Sequence, residues 1–210
     1  MRASKKDIFI KSAFKSFLLK GYDGLSLSDI EADSGMTRGT IFYYFKNKED
    51  MFHGVIEEFV MGKQDIDRKA IHDKDMSVKG YIESYVGGIR DTMCNIGHLF
   101  DANVEPVNIS RGYLKMILDA MRMFPDFNNW YRRNIDRDIN LWGHMLYRGM
   151  ESGEIRQDAN VLVCAKTFTT LYYGQVLCDT TNSGLNYNDL LNQMENFYQM
   201  IKKQPTDLQL

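Results

Sequence analysis

Residues 26–48 carry two helix-start signals and a glycine break so close together that only two very short helices fit between them. Ser26 suits a helix N-cap, with Asp29 three residues on to complete a shortened capping box. The helix it opens cannot pass Ser34-Gly35, and Thr37 is the next cap. Thr37 begins the segment TRGTIFYYF, polar at its front and aromatic behind. Lys46-Asn47-Lys48 closes that segment, and Glu49-Asp50 gives the next helix an acidic first turn. Upstream, Ile10, Ala13, Phe14, Phe17 and Leu18 fall at i, i+3, i+4, i+7 and i+8, the stripe of an amphipathic helix that Gly21 ends. The order is therefore a long helix, two short ones joined by a glycine turn, and another long helix.

Helical spacing continues to the C-terminal end, and strand-like alternation does not compete with it. Breaks near 73–77, 101–109, 124–126, 152–158 and 181–187 predict helices at 49–72, 78–97, 109–123, 127–151, 158–180 and 187–203. Gly153 ends one of these, and Asp158 is the expected cap of the next. Prolines stand only at 106, 125 and 205, which favours helices. The predicted class is all-α with about nine helices. A three-helix domain over 1–48 packs on a larger helical domain over 49–210.

Composition excludes more than it selects. The chain's 210 residues can bury a sizeable core, and a net charge of −2 does not mark a nucleic-acid binder. Over residues 1–50, nine lysines and arginines face seven carboxylates, so the N-terminal part is slightly basic. Cys94, Cys164 and Cys178 form no disulfide framework and no CxxC pair, pointing to a reducing, cytoplasmic setting without structural zinc. Lys11 and Lys15 interrupt any signal-peptide core, and Lys166 interrupts the longest apolar run, so neither a leader nor a membrane span is expected. No P-loop, GxSxG, HExxH or dinucleotide fingerprint appears, so no enzyme, cofactor or metal is expected. Cys94 with His98, and Asp65, Asp67, His72 and Asp73, have ligand-like spacing, but lone pairs like the first are mostly structural and a solvated helix face explains the second.

Two short helices around a glycine turn are the helix-turn-helix arrangement, whose second helix enters the DNA major groove. An ordinary helical corner is the alternative on pattern alone. In the DNA reading Thr37 caps the recognition helix and leaves N–H groups for a phosphate, and Arg38 reaches phosphate or a guanine edge. Gly39 permits close approach, and Thr40 offers a hydroxyl and a methyl. Tyr43 and Tyr44 can hold phosphate oxygens, Lys48 adds a cation, and Ile41 and Phe45 point into the core.

Residues 7–53 resemble the N-terminal domain of the tetracycline-repressor (TetR) family of bacterial transcription regulators. The resemblance rests on Ile10, Ala13, Phe17, Gly21-Tyr22, Ser26, Ile30, Gly35, Thr37 to Ile41, Tyr44-Phe45 and Lys48-Glu49. It places Ser26 among the DNA-contacting residues. The segment GEIRQD, Gly153 to Asp158, resembles the turn before the family's dimer-forming helices. There are two departures: Glu31 replaces the usual alanine, and Phe42 an often-seen tyrosine. A buried Glu31 would be costly, so either its site is open or Ala32 takes over the packing.

The resemblance implies a homodimer on a palindromic double-stranded operator, a small-molecule effector among the middle helices, and repression relieved by that effector. For the dimer the candidate stripes are Val161, Ala165, Phe168, Tyr172 and Val176, then Leu190, Met194, Phe197 and Ile201. Intramolecular core is the alternative for both stripes. For the effector the candidates are Tyr81, Tyr85, Met93 and Met121, then Trp142, Met145, Phe168 and Tyr172. Phe100, Met116 and Trp130 are further options, with Arg90, His98 and His144 as polar ones. Plain core is again the alternative. A dimeric helical protein that binds small molecules, or senses redox through Cys164 and Cys178, with a vestigial DNA head remains the rival function.

Overall fold

The computed structural model describes residues 4–62, 76–100 and 104–204. Helix α1 (Lys5–Gly24) opens on a capping box in which Ser4 and Asp7 satisfy each other's backbone N–H groups. It kinks at Gly21, whose φ of 73° lies in the left-handed region that glycine tolerates. Then come α2 (Leu27–Ser34), α3 (Arg38–Tyr44) and α4 (Lys48–Ile56), the last running on into one π turn, Glu57–Met61. The remaining helices are α5 (Val78–Gly97), α6 (Pro106–Met123), α7 (Pro125–Glu151), α8 (Val161–Thr180) and α9 (Tyr187–Ile201). Among the described residues the sheet-type pairing is a single isolated bridge, Ile155 to Lys202.

The expected helices are present, with shifted ends. Helices α6 and α7 start three and two residues earlier than the breaks at 101–109 and 124–126 implied, because Pro106 and Pro125 begin helices. The N-cap of α8 is Asn160, whose side chain accepts from the Val163 N–H at 3.1 Å. Asp158, the expected cap, pairs with Arg156 at 3.2 Å instead. Helix α9 stops at Ile201 because Ile201 O accepts the Arg156 N–H and Glu154 O accepts the Lys203 N–H. The expected end of the fourth helix at residue 72 lies outside the described residues, as do Asp65, Asp67, His72 and Asp73.

By packing the chain forms two compact units, 1–64 with 94–130 and 65–93 with 131–210. In the first, Phe9, Phe14, Phe17, Phe52 and Met51 are fully buried, each worth about 1.5–3 kcal/mol. The α1 stripe is centred on Phe9 rather than Ile10, which is half-buried. Phe14 stacks on Phe59 of the π turn at 4.2 Å, and the Tyr113 hydroxyl of α6 donates to the Phe59 carbonyl at 3.3 Å. In the second unit, Trp142 is fully buried among Tyr81, Tyr85, Phe168, Leu190 and Met194. Glu154, in the GEIRQD turn, accepts from the Val78 and Lys79 N–H groups at 2.9 and 3.2 Å and so caps α5 from a distance in sequence. It also accepts the Tyr198 hydroxyl at 3.0 Å, and Tyr198's pKa is pushed up to about 12, first by burial and then by that carboxylate.

Candidate nucleic-acid interface

Polar contacts clamp α2 against α1. The Ser16 hydroxyl donates to Asp33 at 2.8 Å, and Lys20 bridges Asp29 and Asp33 at 3.1 and 3.4 Å. Gly35 leaves α2 with φ 65°, and Thr37 starts α3 two residues later. Ile41 and Phe45 are buried at 1% and 6%, and Phe9 packs on the Phe45 ring at 5.6 Å. One face of α3 is therefore fixed in the core.

The opposite face is free. Arg38 and Gly39 are exposed, Phe42 is 43% and Tyr43 82% exposed, and Tyr44 is half-buried beside Tyr43 with ring centres 5.0 Å apart. A side chain at Gly39 would meet nothing within 4 Å, so the surface beside Arg38 lies open to a partner. Thr37 accepts the Thr40 N–H at 3.4 Å, and the two hydroxyls lie 3.0 Å apart. Both threonines thus shape the helix start. Phe42 belongs to this face at i+4 from Arg38 and i+3 from Gly39, a spacing from which it could have been chosen.

Two residues expected to contact DNA, Ser26 and Lys48, make bonds within the fold. Ser26 closes a capping box with Asp29: its hydroxyl accepts the Asp29 N–H and donates to the Asp29 carboxylate. That carboxyl is held at about 2, first by the Ser26 hydroxyl, then by the Ser26 N–H and Lys20. The Lys48 ammonium donates to the carbonyls of Tyr22 and Leu25 at 2.7 and 2.8 Å and sits 4.3 Å from the centre of the Tyr22 ring. It caps the end of α1 rather than facing outward. Lys48→Met should therefore cost about 1–2 kcal/mol of stability, visible in thermal unfolding; a variant as stable as the parent would return Lys48 to the DNA face. Of the departures, Glu31 is half-buried and Ala32 exposed, so the Glu31 site is open and Ala32 does not replace the packing.

Residues 9–55 match the family model of bacterial regulatory proteins, tetR family. The chain carries the N-terminal segment that this family model describes. It is 23% identical to the HTH-type transcriptional regulator YfiR of Bacillus subtilis, over 79% of this chain and 75% of that protein. The HTH-type transcriptional repressor DhaR of Mycobacterium sp. is 22% identical over 84% of this chain and 82% of its own length. The fold is that of a TetR-family regulator from Cytophaga hutchinsonii, with a TM-score of 0.64, 21% identity, and 97% of this chain and 100% of that one covered. Both relatives are named as transcriptional regulators, and the solved structure shares the fold.

Elsewhere in the chain the sequence candidates divide. Tyr81, Tyr85, Trp142, Met145, Phe168 and Tyr172 come together in one cluster of the second unit. Met93 stays outside that cluster, and Met121 belongs to the first unit with Phe100, Met116 and Trp130. Arg90, His98 and His144 are exposed, so none of them is the polar group of this cluster. That group is Asp138, 2% exposed. Asn134, Asp138 and Trp142 follow one another at i, i+4 and i+8, and a carboxylate one turn before a tryptophan was the missed signal.

Much of the two dimer stripes is taken up within one chain. Ala165, Leu190, Met194, Phe168 and Ile201 are 0–4% exposed within one chain, and Val161, Tyr172 and Phe197 pack against the same cluster. The exposed apolar residues of α8 lie one position round, at Leu162, Val163 and Leu177, 56–59% exposed, with Met200 on α9 at 70%. A groove of about 450 Å³ runs along Val163, Lys166, Thr170, Gly174 and Cys178. Gln175 and Gln193 hold α8 to α9 beside it: the Gln193 side-chain N–H donates to the Gln175 amide oxygen at 2.7 Å, and both donate to the Asp189 carboxylate.

Burial pushes the buried Cys164 thiol up, which opposes thiolate formation. Cys178 stands 14 residues along the same helix, about 21 Å away. No disulfide can join them within a chain. Among the described residues no group of three or more His, Cys, Asp or Glu side chains could hold a metal, and no helix is long and apolar enough to cross a membrane.

Proposed function

We propose that this chain is a TetR-family transcriptional regulator, a homodimeric repressor that grips a palindromic operator and is released by a small-molecule effector. Residues 1–48 contact the DNA, and residues 49–210 carry the dimer seam and the effector site. The observation that carries the reading is the division of α3, with Ile41 and Phe45 locked inside and Arg38, Phe42 and Tyr43 presented around an unobstructed Gly39. One such helix reads a few base pairs, so specific binding needs two half-sites and hence two chains. The exposed stripe of Val163 and Leu177 supplies a surface for pairing them. The effector acts by binding one spacing of the two heads more tightly than the other.

Selection of duplexes from a random pool, followed by affinity measured against salt, tests this. A palindromic consensus with a steep negative salt slope is expected. Arg38→Ala should weaken binding to that consensus by roughly 5- to 100-fold with thermal unfolding unchanged. Failure to enrich any duplex, with protein refolded free of bound molecules, would favour a vestigial head.

A further inference from the structure

From the outward face of α3 we infer that Phe42 reads a thymine methyl in each operator half-site, close to a guanine held by Arg38. This rests on the DNA-binding reading above and names the bases that the face selects.

Phe42 is 43% exposed on α3, while Ile41 and Phe45 anchor the other side of the helix at 1% and 6%. A lone exposed ring is ordinary on a protein surface, and its company is what gives this one a role. The other aromatic rings of residues 4–62 each contact a neighbouring ring, as Phe9 does Phe45 and Tyr43 does Tyr44. Phe42 makes no such contact among the described residues. Arg38, one turn earlier, is uncommitted too. It is exposed and forms no ion pair among the described residues, whereas Lys20 and Arg122 of the same unit are held by aspartates. Between Arg38 and Phe42, a β-carbon at Gly39 would meet nothing within 4 Å, so a base edge can come up to the helix there.

The chemistry of the ring narrows what it can meet. Phenylalanine has no hydrogen-bonding atom, so it gains nothing from a phosphate oxygen or from the polar atoms of a base edge. In the major groove the thymine C5-methyl is the apolar group that base pairs present, and a phenylalanine ring can pack on it. Arg38 has the complementary chemistry, because a guanidinium forks onto guanine O6 and N7. Four residues advance about 6 Å along a helix and base pairs are stacked about 3.4 Å apart, so the two contacts fall within about two base pairs of each other. Thr40 is the other methyl-bearing side chain at the front of α3. It is half-buried and engaged with Thr37, the two hydroxyls 3.0 Å apart, which leaves Phe42 as the exposed apolar reader.

The test uses the full chain and the duplex that selection from a random pool enriches, resynthesised with deoxyuridine in place of each thymidine in turn. That exchange removes the methyl and leaves every hydrogen-bonding group. Uracil at one position of a half-site should weaken binding about fourfold, and at the matching positions of both half-sites about fifteenfold, from the loss of one buried methyl contact each. The sensitive thymine should lie within about two base pairs of a guanine; if no guanine is that near, the pairing with Arg38 is wrong. Phe42→Ala should bind the thymine and uracil duplexes alike, whereas Phe42→Leu should keep the preference. Both variants should unfold at the parent's temperature, since the ring lies outside the core. A consensus without thymine, or an operator with uracil throughout that binds the parent chain as tightly as the thymine form, overturns the inference and leaves the DNA reading standing. A preference that Phe42→Ala retains overturns it as well. Enrichment of no duplex overturns both. The parent-chain comparison decides even if a variant folds poorly.

Discussion

Replacing both Val163 and Leu177 by aspartate is expected to give a folded monomer that no longer holds its operator. The two side chains are 56% and 59% exposed in the single chain, so neither carboxylate is buried by folding, and thermal unfolding should be almost unchanged. Association is another matter. Residues 163, 166, 170, 174 and 177 recur at the three-and-four spacing of a helix–helix seam, with small Thr170 and Gly174 at its middle. Pairing two copies through that seam would strip water from four carboxylates, each costing several kcal/mol. The monomer–dimer constant should rise by more than about a thousandfold. Operator affinity should fall by at least about a hundredfold, since one half-site alone remains. Sedimentation equilibrium and a mobility-shift titration check the two halves separately. The contrasting variant is Leu190→Asp. With Leu190 at 0% exposure it should unfold the second unit instead of dissociating it. A Val163/Leu177 double variant that stays dimeric would move the interface elsewhere.

The difference between those two variants also marks how far the sequence could be read. Helix type and the N-caps at Ser26 and Thr37 were legible because they depend on residues three or four apart. The inner face of α3 was legible for the same reason, since Ile41 and Phe45 are the apolar pair of a seven-residue helix. What depends on a second element was not. Lys48 reads as a surface cation until the end of α1 is seen to place the Tyr22 and Leu25 carbonyls against it. Helix α8 is apolar nearly all round, so its periodicity cannot say which stripe faces the chain's own core and which faces outward. Packing against Trp142 and Leu190 settles that, and it moves the outward stripe from Ala165 and Phe168 to Val163 and Leu177. The cluster around Trp142 was named from its aromatic residues, yet its charge was passed over because a single aspartate on a long polar helix looks like surface.

Glycine 112 illustrates the same dependence on a second element, and its substitution carries the largest stability effect expected in the first unit. On sequence grounds Gly112→Ala in the middle of α6 should help, because alanine is favoured over glycine by about 1 kcal/mol in a helix interior. The packing reverses the sign. A β-carbon at 112 would lie 2.0 Å from the Leu18 carbonyl oxygen and 2.8 Å from Leu18 Cδ2. The oxygen belongs to the backbone of α1 and cannot swing aside, so α1 and α6 must separate. That separation loosens fully buried Phe14 and Phe17 on the same helix, and overpacking of this kind costs about 3 kcal/mol or more. The net expectation is a loss of at least about 2 kcal/mol, read as a lower midpoint in denaturant with an unchanged slope. Gly143→Ala on α7 is the control: its β-carbon meets nothing within 4 Å, so the helix preference acts alone and the variant should be slightly stabilised. If Gly112→Ala matched that control, the close approach of α6 to α1 would be wrong. The stack of Phe14 on Phe59 and the Tyr113 bond to the π turn would then lose the packing that positions them.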